Sequence, residues 1–513
     1  LNPAPVKTPA ASPAQSGLMT RRQFLGRAAR FTVGTGLGLS LLSTAGCGSN
    51  SSAQSAPPWN ALARKLSGPL LRPGDPGFAT IAQPNNLRYA KVLPGGIARC
   101  QSAEDVAQSI LWSRRFDVPL TARSGGHSYA GYSTTTGLMI DLSLMNQLQF
   151  DSSTGVVTMG GGARNGDIYS ALPPLNVAIT HGRCPTVGVA GFVLGGGIGF
   201  NMRAHGLGSD QLVVSEIVTA KGDILTLDEN HNDALFWACR GGGGGNFGIN
   251  TSFSFQTFPV SNLTVFKLSW TSSTEDVYAA LLAALGAGPP ELGTRLAVNA
   301  VTPEQFAAGQ DVTIALLGQL VGSPADLANI LAPVYNVSPP TTSDIEELSY
   351  WSAQTGFLAE PGTPGYYQER SRFFIDPIAA DAIATIFKFT RQWPGTSAGA
   401  HFVLFQTGDQ VNAMAPDATA FVHRSSDWLT TLNLGWGTTD DAATVHRNRA
   451  WQNEFFDAMR AFSLPESYQN FSDPSLIDWQ QAYYGSNLAR LRQVKAEFDP
   501  HRVFHFHQGI SPA

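Results

Sequence analysis

Charge is what this sequence has least of. Asp, Glu, Lys and Arg make up 14% of its 513 residues, where soluble domains average roughly 25%. The formal net charge is −5, with no basic patch to attract a nucleic-acid backbone, so nucleic-acid binding is set aside. Cysteine is scarce: Cys47, Cys100, Cys184 and Cys239 show no CxxC or Cys/His spacing, and no metal site is expected. Long apolar runs are missing too. The uncharged stretch Phe31–Thr44 is too short for a stable membrane-spanning helix. Glycine and proline are plentiful, at 53 and 32 residues, and with so little charge they suit an exported chain with long connections. The length accommodates two domains and a leader. No internal repeat is visible.

The glycines are concentrated. Arg123–Tyr132, RSGGHSYAGY, sets a histidine behind a tight Gly-Gly turn. Gly182–Gly199, GRCPTVGVAGFVLGGGIG, sets a cysteine ahead of a valine and glycine run. Glycine serves where backbone takes positive φ or presses against a ligand. Gly125, Gly126, Gly195, Gly196 and Gly197 therefore read as a cradle, whose successive N–H groups can face an anion such as a pyrophosphate. Alone, such a cradle also fits an ordinary turn. The run Gly241–Gly245 cannot hold a helix and reads as a loop, either a spacer or a close approach to a cofactor.

Together the two motifs resemble the berberine-bridge-enzyme-like oxidases, within the vanillyl-alcohol-oxidase type of FAD flavoproteins. The resemblance extends to DALFWACRGGGGGNFGI at Asp233–Ile249, to LIDWQQA, and to the closing stretch Tyr483–Ile510. It implies an α+β, two-domain PCMH-type FAD-binding fold, with two α/β subdomains for the cofactor. A substrate domain, an antiparallel sheet covered by helices, completes it. On this basis the chain divides into an N-terminal extension and signal (1–47) and a linker with the start of the mature fold (48–90). An FAD-binding domain (91–260), a substrate-binding domain (261–464) and a segment returning to the FAD domain (465–513) follow.

Residues 1–18 precede Met19 and read as an upstream extension or a disordered tail. TRRQFLG from Thr20 matches a twin-arginine export signal, with Phe31–Thr44 as its core. Ser43–Cys47 resembles a lipobox with Thr44 where Leu is usual, so Cys47 is either a lipid anchor or part of a released leader. The expected location is periplasmic, extracellular or anchored at the cell surface. Further on, Ser102 opens a helix over Ala103–Arg115, and Pro119–Arg123 is a strand that delivers the SGGHS turn. Beyond Leu263, strands at Val265–Trp270, Arg295–Val301, Asp311–Leu317, Phe402–Gln406 and Trp428–Gly435 accompany four helices. Cys100 and Cys239 read as two buried thiols rather than a disulfide.

The resemblance assigns roles residue by residue. His127 matches the histidine bonded to the 8-methyl position of FAD, and Cys184 the cysteine bonded to C6, which implies a bicovalent flavin. Arg123, Ser124, Gly125, Gly126 and Ser128 match the pyrophosphate loop. Gly188, Gly191, Val193, Gly197 and Ile249 are expected to line the cofactor, and Tyr484 and Asn487 to close the site. Tyr468, in SYQNF, matches an active-site tyrosine. It is the expected catalytic base, a phenol of lowered pKa. Tyr129 matches a substrate-facing tyrosine, and Val187 a gate where valine admits dioxygen. Phe471 and Phe192 depart from the family pattern, replacing polar groups found in relatives. Gln406 is placed in the pocket by alternation, and Trp351, Tyr366, Tyr367, Trp428 and Trp436 are either a sugar platform or core.

The implied function is FAD-dependent oxidation of an alcohol, a sugar anomeric hydroxyl among the options. The partners are a small-molecule substrate, dioxygen reduced to hydrogen peroxide, and the export machinery. The rival readings are a dehydrogenase, an enzyme of C–H oxidation or cyclisation, and, more remotely, a flavin-binding lipoprotein without catalysis.

Overall fold

The computed structural model describes residues 56–513. The twin-arginine stretch and Cys47 lie outside the described residues.

A small sheet positions the first glycine motif. Its strand order is Leu70–Leu71, Gly96–Arg99, Leu138–Asp141, Leu120–Arg123, and the last three run parallel. Parallel neighbours need a crossover connection, and the helix Ala103–Arg115 supplies one. The Ser102 hydroxyl caps this helix by accepting the Asp105 amide at 3.2 Å. Acidic residues in its first turn and Arg114 and Arg115 in its last complement the helix dipole. The strand Leu120–Arg123 ends where the SGGHS turn begins, so the sheet fixes the place of that turn. A second, antiparallel sheet has the order Leu148–Asp151, Val156–Gly160, Ile249–Gln256, Leu212–Val218, Ile224–Leu227. Ile249 therefore opens a central strand shortly after the Gly241–Gly245 loop. Cys100 and Cys239 are separate, buried free thiols, as expected.

A seven-stranded antiparallel sheet organises the remainder. Its order is Thr342–Ser349, Asn262–Trp270, Thr313–Leu320, Leu292–Asn299, Ala400–Gln406, Trp428–Trp436, Tyr366–Phe374. Successive side chains on a strand point to opposite faces. One face packs on helices including Ala380–Thr390 and Ala442–Ala458: Phe402 stacks on Phe455 with centroids 5.6 Å apart. The alternate residues, among them His401, Val403 and Asn433, line a cavity on the other face.

Two strands of this sheet escape the sequence reading. Thr342–Ser349 is an exposed edge bearing Asp344, Glu346 and Glu347. Such charges guard an edge against pairing, and they also erase the apolar alternation. Tyr366–Phe374 is largely buried although it reads YYQERSRFF. Arg370 and Arg372 lie over the Phe456 ring at 3.7 and 4.0 Å, and Arg370 pairs with Asp473 at 2.7 Å. Those partners come from distant sequence, so nothing local announces a strand.

The closing segment is locked to the glycine loop by one fully buried ammonium. Lys495 donates to Asp499 at 2.6 Å and to the carbonyls of Phe504 and Asn246 at 2.7 and 2.5 Å. Asn246 directly follows Gly241–Gly245, and its side chain accepts the Ile510 amide at 2.9 Å. Asp499→Ala would strand this buried cation, a loss of about 3–5 kcal/mol. Thermal or urea melts should show it, and replacing both partners with apolar residues (Lys495→Met with Asp499→Leu) should restore much of the stability.

Candidate active site

The two glycine motifs cross backbone to backbone. A Cβ placed on Gly125 would overlap the Gly188 amide nitrogen, and one on Gly188 would overlap the Ser124 hydroxyl. Gly126, next in the turn, has φ +75°, a conformation suited to glycine. The turn leaves the amides of Gly125, Gly126, His127 and Ser128 without an acceptor among the described residues. The Ser124 hydroxyl is likewise buried and unpartnered. Unpartnered donors of this kind suit acceptors from outside the chain, and a row of them around a left-handed glycine suits phosphate oxygens.

The crossing also sets the two attachable side chains. His127 Nε2 and Cys184 Sγ lie 2.9 and 3.3 Å from one atom, the Thr186 hydroxyl. Burial, helped by Arg164, pulls the His127 pKa down to about 4, so its imidazole is neutral and carries a lone pair. Asn165 steadies the cysteine by donating to the Cys184 carbonyl at 2.9 Å.

Between this crossing and the polar face of the large sheet lies a cavity of about 640 Å³. Ser124, Gly125, Gly126, His127, Ser128, Tyr129, Cys184, Val187, Gly188, Gly191, Ile249, Tyr468 and Tyr484 all reach its wall. Gly243, Gly244 and Gly245 do as well, with Gly243 and Gly245 at φ +86° and +74°. The end of the polyglycine run, Gly243–Gly245, is therefore part of the cavity wall.

Several expectations need correction. Arg123 is not on the cavity wall; its guanidinium binds the carbonyls of Ile81, Gln83 and Ser133 and braces the turn from behind. Val193 is wholly buried in the core. Gly197 spends its amide on the Tyr468 hydroxyl at 3.0 Å. Asn487 donates to the carbonyls of Pro416 and Thr419, at 2.7 and 3.1 Å, away from the cavity. Tyr468 does face the cavity, but its pKa is pushed up to about 12: burial outweighs the two N–H groups, from Gly197 and Asn470, that its oxygen accepts. Gln406 touches the margin with both ends of its amide already bonded, to Leu285 and Thr294. Of the aromatics offered as a sugar platform only Tyr367 lines the cavity. Trp351 stacks on His181 at 5.5 Å, Trp428 is core, and Tyr366 and Trp436 stack on each other at 6.5 Å.

What the sequence reading missed is a polar row across the sheet. Glu369, Asn433, His401 and Asn299 are register partners on four adjacent strands. Asn433 Nδ2 donates to Glu369 Oε2 at 2.6 Å, and His401 Nδ1 meets Asn299 Oδ1 at 2.9 Å. Burial brings His401 down to about 4 and raises Glu369 to about 7, with Asn433, Thr431 and Arg295 opposing the rise and Glu360 adding to it. Arg295, on the strand Leu292–Asn299, also lines the cavity. Only a partial signal lay in the sequence: Thr431 and Asn433 alternate on Trp428–Trp436, whereas Val403 and Phe405 follow His401 on its face of Ala400–Gln406.

Comparison with known proteins agrees with this geometry. A family model described as an FAD binding domain matches residues 94–228, and one described as berberine and berberine like matches 467–511. The uncharacterised FAD-linked oxidoreductase YgaK of Bacillus subtilis is 31% identical over 455 residues, 87% of this chain and 98% of that protein. The glucooligosaccharide oxidase of Sarocladium strictum is 31% identical across 80% of this chain and 86% of that one. The solved structure of xylooligosaccharide oxidase from Myceliophthora thermophila, in complex with xylobiose, matches with a TM-score of 0.76 at 25% identity, covering 88% of this chain and 99% of that one.

Adding one carbon at the crossing tests the cradle. Gly125→Ala should be purified with little bound flavin, read from visible absorbance per protein. Gly356→Ala, where the added carbon meets nothing within 4 Å, should keep it.

Proposed function

We propose a mode of cofactor attachment and a substrate for this chain, which belongs to the berberine-bridge-enzyme-like family of FAD-linked oxidoreductases and has its PCMH-type fold. FAD is bonded to both His127 and Cys184. The enzyme oxidises the anomeric hydroxyl of a sugar to a lactone and passes the electrons to dioxygen, releasing hydrogen peroxide.

The observation that carries this reading is the Thr186 hydroxyl shared by His127 Nε2 and Cys184 Sγ. A neutral imidazole and a thiol so close together suit two bonds to one edge of a flavin ring. The cradle fits the rest of the group: the unpartnered donors of Ser124 to Ser128 suit its phosphates, and the Gly243–Gly245 backbone leaves room for close approach. When bound, FAD supplies the two-electron redox chemistry. The residues of the cradle, with His127 and Cys184, would hold it in the cavity and shield the reacting atoms from water.

The sugar reading draws on the polar sheet face. Arg295 offers donors, the free Nε2 of the neutral His401 is an acceptor, and Asn433 offers both. Fixed donors and acceptors on rigid strands match a ring of hydroxyls. Relatives named glucooligosaccharide, xylooligosaccharide and carbohydrate oxidase point the same way. Val187 lines the cavity beside Cys184, where a small side chain leaves dioxygen a path. Export of the folded, loaded enzyme through the twin-arginine route, with Cys47 as the candidate anchor, belongs to the same reading and rests on TRRQFLG and Ser43–Cys47. So do the domain limits near 91, 260 and 464.

Acid precipitation tests attachment. Yellow colour should stay in the pellet for the wild type and for His127→Ala or Cys184→Ala alone, and leave it only in the double variant. Colour in the wild-type supernatant would refute the double bond. Supplying sugars should yield peroxide; dye reduction without peroxide would make the enzyme a dehydrogenase.

A further inference from the structure

Removing hydride from a carbinol carbon requires a group to take the hydroxyl proton, and the aromatic candidates do not provide one. Tyr468 is protonated at neutral pH, its oxygen boxed in by Gly197 and Asn470. Phe471, beside it, has no hydroxyl. Burial also raises Tyr129 well above the ordinary tyrosine range, and Tyr367 donates its hydroxyl to Asn85 at 2.7 Å. His401 is too weak a base.

Two carboxylates reach the cavity among the described residues, Glu360 and Glu369. Glu360 is half exposed and paired with Arg183 at 2.5 Å. Glu369 is buried on the strand Tyr366–Phe374, one oxygen held by Asn433 at 2.6 Å. The Thr431 hydroxyl also faces this carboxyl, which lines the cavity where a ligand would sit.

We propose that Glu369, oriented by Asn433, is the catalytic base for alcohol oxidation in this cavity. This rests on the alcohol-oxidising reading above. The substrate's O–H bond breaks, with its proton passing to the Glu369 carboxylate. The C–H bond breaks with its electron pair, and that hydride passes to oxidised FAD. The carbon is left doubly bonded to oxygen as the carbonyl or lactone. The carbinol loses one proton and one hydride, and the flavin gains two electrons. Asn433 is a positioning residue: its N–H fixes the carboxylate on a rigid strand.

The electrostatics match the task. Burial raises the Glu369 carboxyl to about 7, while Asn433 and Thr431 on the neighbouring strand and Arg295 farther along the same sheet favour its charged form. Glu360, on the loop before the strand, opposes it. His401, next in the row, is neutral. A base poised near working pH accepts a proton and gives it up again readily. The carboxylate is the working form, so turnover of the alcohol should rise with pH through about 7 and level off above it.

Anaerobic stopped-flow reduction of the bound flavin by a sugar, across pH, tests the role. Glu369→Gln should slow reduction about 10²- to 10⁴-fold and abolish the rise near neutral pH. Glu369→Asp should keep the rise and part of the rate. Asn433→Ala keeps the carboxyl but removes a bond to its charged form, so the midpoint of the rise should move to higher pH. Infrared pH-difference spectra of the substrate-free protein supply a readout apart from activity: a carboxyl signal titrating near neutrality should vanish in Glu369→Gln. A Gln variant with the wild-type profile, an unmoved midpoint in Asn433→Ala, or no such infrared signal would overturn the assignment. If no alcohol reduces the wild-type flavin, the substrate reading fails first and takes the base with it.

Discussion

Two backbone segments that cross without space for a single side-chain carbon, at Gly125 and Gly188, are the constraint on which the site depends. Each is held from its own side. Gly125 follows the strand Leu120–Arg123, paired in a parallel sheet, and Arg123 anchors the turn to three carbonyls. Gly188 bridges to Arg164 and leads into the helix Val189–Leu194. Steric exclusion, a short-range and unforgiving force, thereby brings His127 and Cys184 to the same hydroxyl.

The two walls of the cavity solve different problems. Loops form one wall, where exposed amides and missing side chains suit close approach to phosphates. Strands form the other, where hydrogen-bonding groups gain selectivity from being immobile. Ion pairs join segments far apart in sequence: buried Arg424 grips Asp210 in a two-pronged contact at 2.7 and 2.8 Å, and Arg203 reaches the exposed Asp409 at 2.7 Å. Breaking such pairs costs more than exchanging them for apolar contacts, so their clearest contribution is orientation.

What the glycine cradle holds was legible only through the family resemblance its motifs carry. Its place in the fold was legible because a Gly-Gly turn, a cysteine before a valine and glycine run, and a strand ahead of each lie within a few residues. So were the helix Ala103–Arg115, with its cap and its graded charges, and the apolar strands Ala400–Gln406 and Trp428–Trp436. The substrate side was not. Glu369, Arg370 and Arg372 look like an exposed stretch until Phe456, Asp473 and Asn433 surround them. Tyr468 looked like a base because its motif was read before its burial could be known. Arg123, Val193, Gly197 and Asn487 were assigned to the cofactor through the family resemblance, whereas none of them reaches the cavity wall.

The closing segment has a consequence for how the molecule is made. Tyr468, Tyr484 and Gln508 line the same cavity as Ser124, and Lys495 ties that segment to the glycine loop. Synthesis proceeds from the N-terminus, and domains tend to fold as they emerge. The cradle of Ser124–Ser128 can form early, but its far wall is still inside the ribosome when it does. Completion of the cavity is therefore a post-translational event, and retention of the cofactor is a property of the finished chain rather than of the domain that carries its motif.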